Sequence, residues 1–165
     1  MDTIRRRSYQ VDVLSPHLRI SGRIEPIGPW IDYLNSPDRH TLLVTAAHVC
    51  PLGDANGHGF DQERVIINKH DVCLIVVLDE DARDGIQLMR NSQRAISHVG
   101  PYVCRSDFHM GAESNLTTFL DELHGDFFAA TDADLYSSMT LPSPLPRHAS
   151  LIIMNRAQMR LHHPA

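Results

Sequence analysis

A mostly β or α+β protein is predicted, built from two tandem barrel-like or sandwich-like units, each with one short helix. Three observations predict it. Apolar residues alternate with polar ones in several short segments. Three blocks return in the same order 84 to 87 residues later. Clusters of Gly, Pro, Asp and Asn separate the segments, as turns require.

The first block is Arg19 to Pro26, RISGRIEP, against Val103 to Met110, VCRSDFHM, at an offset of 84. Both alternate as strands do. Ile20, Gly22 and Ile24 match Cys104, Ser106 and Phe108. The second block is WIDYLN, Trp30 to Asn35, against LTTFLD, Leu116 to Asp121, at an offset of 86. Trp30, Tyr33 and Leu34 match Leu116, Phe119 and Leu120. Apolar positions at i, i+3 and i+4 predict a short amphipathic helix in each copy, with Tyr33 and Phe119 in the core. Pro29 suits a first helical position, and Ser114 or Asn115 suits a cap. Trp30, alone in its copy, is expected at an edge. At the same offset LVTAAHV, Leu43 to Val49, meets AATDADL, Ala129 to Leu135.

The third block pairs VIINKHDVCL, Val65 to Leu74, with IIMNRAQMRL, Ile152 to Leu161, at an offset of 87. Asn68-Lys69 and Asn155-Arg156 then lie between two β-rich runs. Asn tolerates positive φ, so both are expected to be turns.

The expected organisation is a tail over residues 1–8, a first unit over 9–78, a connector over 79–93 and a second unit over 94–162. The connector, polar around Ile86, Leu88 and Met89, reads as a helix or a loop. The loops Pro51 to Gln62 and Thr140 to Arg147 occupy equivalent places but differ in composition, so a binding surface is expected there. Units of about 70 residues are marginal alone and are expected to pack on one another. Val72 to Leu78 is apolar without interruption. Such a strand must be covered on both faces or form an interface.

Apolar residues make up 42% of the 165, enough for a core, and charged residues 21%. The net charge of −5 argues against a polyanion partner. Arg5-Arg6-Arg7, the densest basic run, reads as a solvated tail. Residues 1–10 lack the apolar stretch of a signal peptide, and Val72 to Leu78 is far short of the roughly 20 residues of a membrane-spanning helix. Three cysteines without a CxxC pair fit reduced thiols, hence a cytoplasmic, bacterial-type setting.

Eleven histidines invite a metal search. His48-x-Cys50 with His70-x-x-Cys73 offers a tetrahedral set. Their counterparts, Asp134, Tyr136, Ala157 and Arg160, could not hold a metal, which weighs against the site. Asp54 to Gly59 opens like a calcium loop but has His58 at the fifth position and Val65 at the twelfth. Asp132 and Asp134 are expected on one face of a strand, where two buried carboxylates could do acid–base work; the first copy has Ala46 and His48 at these positions, so the pair reads as a solvated edge. No G-x-S-x-G, P-loop or G-x-G-x-x-G is present, and no base-stacking aromatic ladder. The chain is therefore expected to be non-enzymatic and without a cofactor.

Gly22-Arg23-Ile24, Asp32-Tyr33-Leu34-Asn35, Val44-Thr45-Ala46-Ala47-His48-Val49 and Ile66-Ile67-Asn68-Lys69 stand in an order that resembles an uncharacterised family of small bacterial β domains. The glycine followed by D-x-[hydrophobic]-N is also similar to the Sm-like ring proteins, which implies small barrels that assemble. The expected function is a scaffold or adaptor module acting through protein–protein contacts, as a homo-oligomer or accessory subunit. Its contact residues would be Val72, Leu74, Val76 and Leu78, with Asn68, Lys69, Asn155 and Arg156. One alternative is an Sm-like nucleic-acid-binding module using Arg5 to Arg7, Lys69 and Arg156. Another is a metal- or small-ligand-binding regulator using His48, Cys50, His70 and Cys73.

Overall fold

Among the described residues, ten strands join edge to edge in a single antiparallel sheet. The computed structural model describes residues 6–53 and 57–165. The chain runs β1 (Tyr9–Leu14), β2 (Leu18–Ile24), α1 (Trp30–Asn35), β3 (Thr41–Pro51) and β4 (Phe60–Asn68). A 3-10 turn (Lys69–Asp71) leads to β5 (Leu74–Val77), and another (Ala82–Gly85) precedes β6 (Asn91–Val99). Then come β7 (Tyr102–Met110), β8 (Phe127–Ser137), β9 (His148–Asn155), a third 3-10 turn (Arg156–Gln158) and β10 (Met159–Pro164). The protein is mostly β, and no described helix is long and apolar enough to cross a membrane.

The spatial order is β10-β6-β7-β8-β9-β5-β1-β2-β3-β4. The first five strands thus lie as β5-β1-β2-β3-β4, and the second five as β10-β6-β7-β8-β9. Registers correspond as well. Val13 lies opposite Ile20, and Ser97 opposite Cys104, both 84 residues on. Val44 lies opposite Val65, and Ala130 opposite Ile152, 86 and 87 residues on. Leu14 lies opposite Leu74, and His98 opposite Leu161, 84 and 87 on. The β2–β3 ladder shifts register between Ser21 and Arg23, and the β7–β8 ladder between Arg105 and Asp107. The bulged strands are β3 and β8, and within the bulges Ala46 and Asp132 hold positive φ, 46° and 49°.

The two halves meet where β5 pairs with β9. Strand alternation sends successive side chains of this pair to opposite faces. Ile75, Val77, Leu151 and Ile153 join one core, with Val11, Ile20, Trp30 and Leu42. Leu74, Val76, Ile152 and Met154 join the other, with Tyr102, Phe108 and Phe128. The apolar run is therefore covered on both faces within the chain from Val72 to Val77, with Leu78 exposed at its end. Each such side chain gains roughly 1.5–3 kcal/mol from full burial. The strands of both halves are continuous in one sheet, with one core on each of its faces.

Helix α1 buries Trp30, Tyr33 and Leu34, the spacing the sequence predicts. Trp30 is not at an edge: it is buried, its ring 5.1 Å from that of Tyr9. The second predicted helix is absent, because residues 116–121 form a series of turns. Asn115 Oδ1 accepts from the N–H groups of Thr117 and Thr118, and two adjacent β-branched threonines are poor helix formers. Leu116 and Phe119 still reach the second core, Phe119 lying 5.2 Å from both Phe108 and Phe128 between ring centres. The connector is a 3-10 turn with Ala82 buried in the first core.

Candidate functional site

The residues that link the halves crowd around the β5–β9 junction. Asn68 and Asn155 do not adopt positive φ; their values are −66° and −99°. Each instead caps a 3-10 turn with its side chain, Oδ1 accepting from His70 N or Ala157 N at 3.0 Å. The basic residue that follows reaches inward. Lys69 Nζ donates to Leu34 O at 2.6 Å and Ser36 O at 3.1 Å, satisfying carbonyls at the end of α1. Arg156 donates to Leu120 O and Leu123 O at 2.8 and 3.2 Å, and pairs with Asp126 at 3.0 Å. The Asn-Lys and Asn-Arg pairs are internal struts of the same design, one in each half.

Asn35 ties α1 to the second half. Its Nδ2 donates to Phe127 O and its Oδ1 accepts from Phe127 N, each at 2.9 Å. A side-chain amide thus takes the place of a strand neighbour for β8. Next to it is a polar cleft of about 370 Å³, whose lining includes Arg39, His40, Lys69, His70, His124 and Arg156. Asp126 is its one carboxylate among the described residues. Burial and the neighbouring Arg39 guanidinium push the Lys69 ammonium below its ordinary value, with Asp126 opposing. The cleft is cationic and suits an anionic group.

A second cleft, about 430 Å³, lies against the other side of α1. Ile31, Leu88, Met110, Phe119 and Phe128 give it an apolar floor. Hydrogen bonds from the Ser114 and Thr118 hydroxyls hold the Glu122 carboxyl below its usual range at the rim.

Val72, Leu74 and Val76 are fully buried inside the chain, so they offer no surface to a partner; Leu78 is partly exposed. Lys69, Asn155 and Arg156 are engaged within the chain, whereas Asn68 is exposed. His48 pairs with Asp61 at 2.6 Å on the outer face of β3 and β4. Cys50 is half-buried, His70 is exposed and Cys73 is buried. No three His, Cys, Asp or Glu among the described residues stand close enough to share a metal. Burial pushes the thiols of Cys73 and Cys104 up to about 12. Asp132 pairs with Arg83 at 3.4 Å, and Asp134 with Arg94 at 3.3 Å and His148 at 3.2 Å, so neither is a free acid. Arg5 and residues 54–56 of the calcium-like loop lie outside the described residues; Arg7 pairs with Asp81. The two unlike loops touch: Gly53 N donates to Thr140 O at 3.3 Å.

What the sequence did not single out is the outer face of the open edge. Leu43 on β3 lies directly opposite Ile66 on β4, and the pair is 43% and 71% exposed. Their counterparts, Ala129 and Ile153, face the first core. No protein-family model, curated protein or solved structure matches this chain.

Proposed function

We propose that this chain is a non-enzymatic scaffold or adaptor module, built by duplication of one five-stranded unit and acting through protein–protein contacts. The exposed Leu43–Ile66 pair carries the reading. Two large aliphatic side chains stand side by side in water on an edge strand pair, and a partner's surface would cover them. The matching strand orders and register offsets of the halves support the duplication. Sedimentation of the full chain should give a species heavier than 18.6 kDa, and Leu43→Glu should return it to that mass. A chain that stays monomeric at every concentration, alone and in a cell extract, would contradict the reading.

The cationic cleft favours a second reading, an Sm-like module that holds an anionic group of a nucleic acid. Arg39, His40 and His124 would approach the phosphate, while Lys69 and Arg156 hold the walls. Filter binding of RNA and DNA at about 50 mM salt, where phosphate contacts are strongest, tests it. Retention that Arg39→Ala weakens supports this reading; a flat curve removes it.

A further inference from the structure

We infer that β4 of one molecule pairs with β10 of a second copy of this chain, head to tail, repeating between molecules the β9–β5 contact that joins the halves within one. The inference rests on the protein-contact reading above and names the partner and the edges.

Among the described residues the sheet has two open edges, β4 and β10. They are the counterparts of the two strands that pair at the centre. β9 follows β4 by 87 residues, and β10 follows β5 by the same interval. The sheet therefore ends, on either side, in one half of a contact it already makes once. Side chains at the edges carry the mark of that missing half. Ile66 is 71% exposed, while its counterpart Ile153 is 0% exposed. Leu161 is 49% exposed, while its counterpart Leu74 is 0% exposed. At the junction Asn155 donates its backbone N–H to Cys73 O at 2.9 Å and its Nδ2 to Val72 O at 2.9 Å. Asn68 repeats the cap on its own turn but sits exposed at the rim, where Asn155 has its partner strand.

The register follows. Val76 lies opposite Ile152 at the junction, so His163 would lie opposite Val65 between molecules, and His162 opposite Ile66. One difference weakens the copy. Ala165 N donates to Arg94 O, so by antiparallel alternation residue 164 turns its main chain to the open edge. Pro164 has no N–H to give there, where its counterpart Val77 has one. The contact between molecules is shorter by that bond than the one within them. A head-to-tail contact of unlike edges propagates, and it closes into a ring when the rotation per chain permits.

Paired cysteines test it, in the full chain with Cys50→Ser. Val65→Cys with His163→Cys, oxidised at native pH, should give a ladder of covalent multimers that reductant collapses to one band. Each single variant should give no ladder. As a second arm, Ile66→Glu should return the native mass to that of one chain. Covalent dimers from Val65→Cys alone would mean that β4 pairs with β4, and would overturn the inference. A defined oligomer with no cross-link would overturn it while leaving the protein-contact reading standing; a monomer in every arm would also overturn it, and mass in a cell extract then decides the protein-contact reading separately.

Discussion

Gly22 has a local physical cause. A Cβ built there would stand 2.6 Å from Val44 Cγ1 and 2.7 Å from Thr45 O, at the bulge where β2 crosses the kinked β3. Gly22→Ala must push a packed side chain and a carbonyl aside, and should cost about 1–3 kcal/mol of stability in a urea titration. An unchanged midpoint would show that the bulge is soft. Its counterpart Ser106 is fully buried, so the second half has room where the first has none. The pairing of Gly22 with Ser106 was legible in the sequence; the reason for the glycine was not, because the crowding comes from a strand more than twenty positions away. Trp30 was misplaced for the same kind of reason. Having no aromatic counterpart said nothing of the Tyr9 ring that covers it.

Among elements, α1 followed from its i, i+3, i+4 spacing, and the equivalent segment did not become a helix despite the same spacing. Periodicity fixed which face is buried, and the Asn115 side chain with two threonines decided the backbone. The struts show a similar split. Position marked Asn68-Lys69 and Asn155-Arg156 as a repeated pair, while turn propensity gave the wrong conformation, since the side chains cap and the φ values stay negative. Asn35 stood in the D-Y-L-N motif with no role assigned, because pairing with a main chain 92 residues away leaves no local signal. Asn35→Ala would strand the N–H and C=O of Phe127 and should cost about 1–3 kcal/mol, read as a lowered urea midpoint. A wild-type midpoint would mean that water replaces the amide there.

At the scale of the molecule, the apolar run Val72 to Leu78 posed a choice between cover on both faces and an interface. The fold covers Val72–Val77 from both sides, and the outer strands carry Leu43, Phe60, Ile66 and Leu161 exposed. Reading a contact surface from the most apolar strand alone therefore pointed inward, whereas comparing each residue with its counterpart points to the edges. The shared core also sets the response to alkali. Burial raises the thiols of Cys73 and Cys104 from 9.0 to about 12, and raises the Tyr102 phenol too. These groups hold their protons more tightly folded than unfolded. The stability they contribute is complete below the unfolded thiol value and is lost as pH rises through the folded one. Unfolding by urea should accordingly become easier from about pH 9 upward, and a thiol reagent at pH 8 should label Cys50 well ahead of Cys73 and Cys104. Equal labelling of all three thiols in the native protein would contradict the covered junction.

On the proposed assembly, the open edges repeat between molecules the contact at the middle of the sheet. Light scattering on the freshly purified, reduced chain, followed through a dilution series, reads this out. The expected mass is above 18.6 kDa, a fixed multiple for a closed ring or a concentration-dependent series for an open chain, and it falls to 18.6 kDa on dilution or with Ile66→Glu. A mass of 18.6 kDa at every concentration would contradict it.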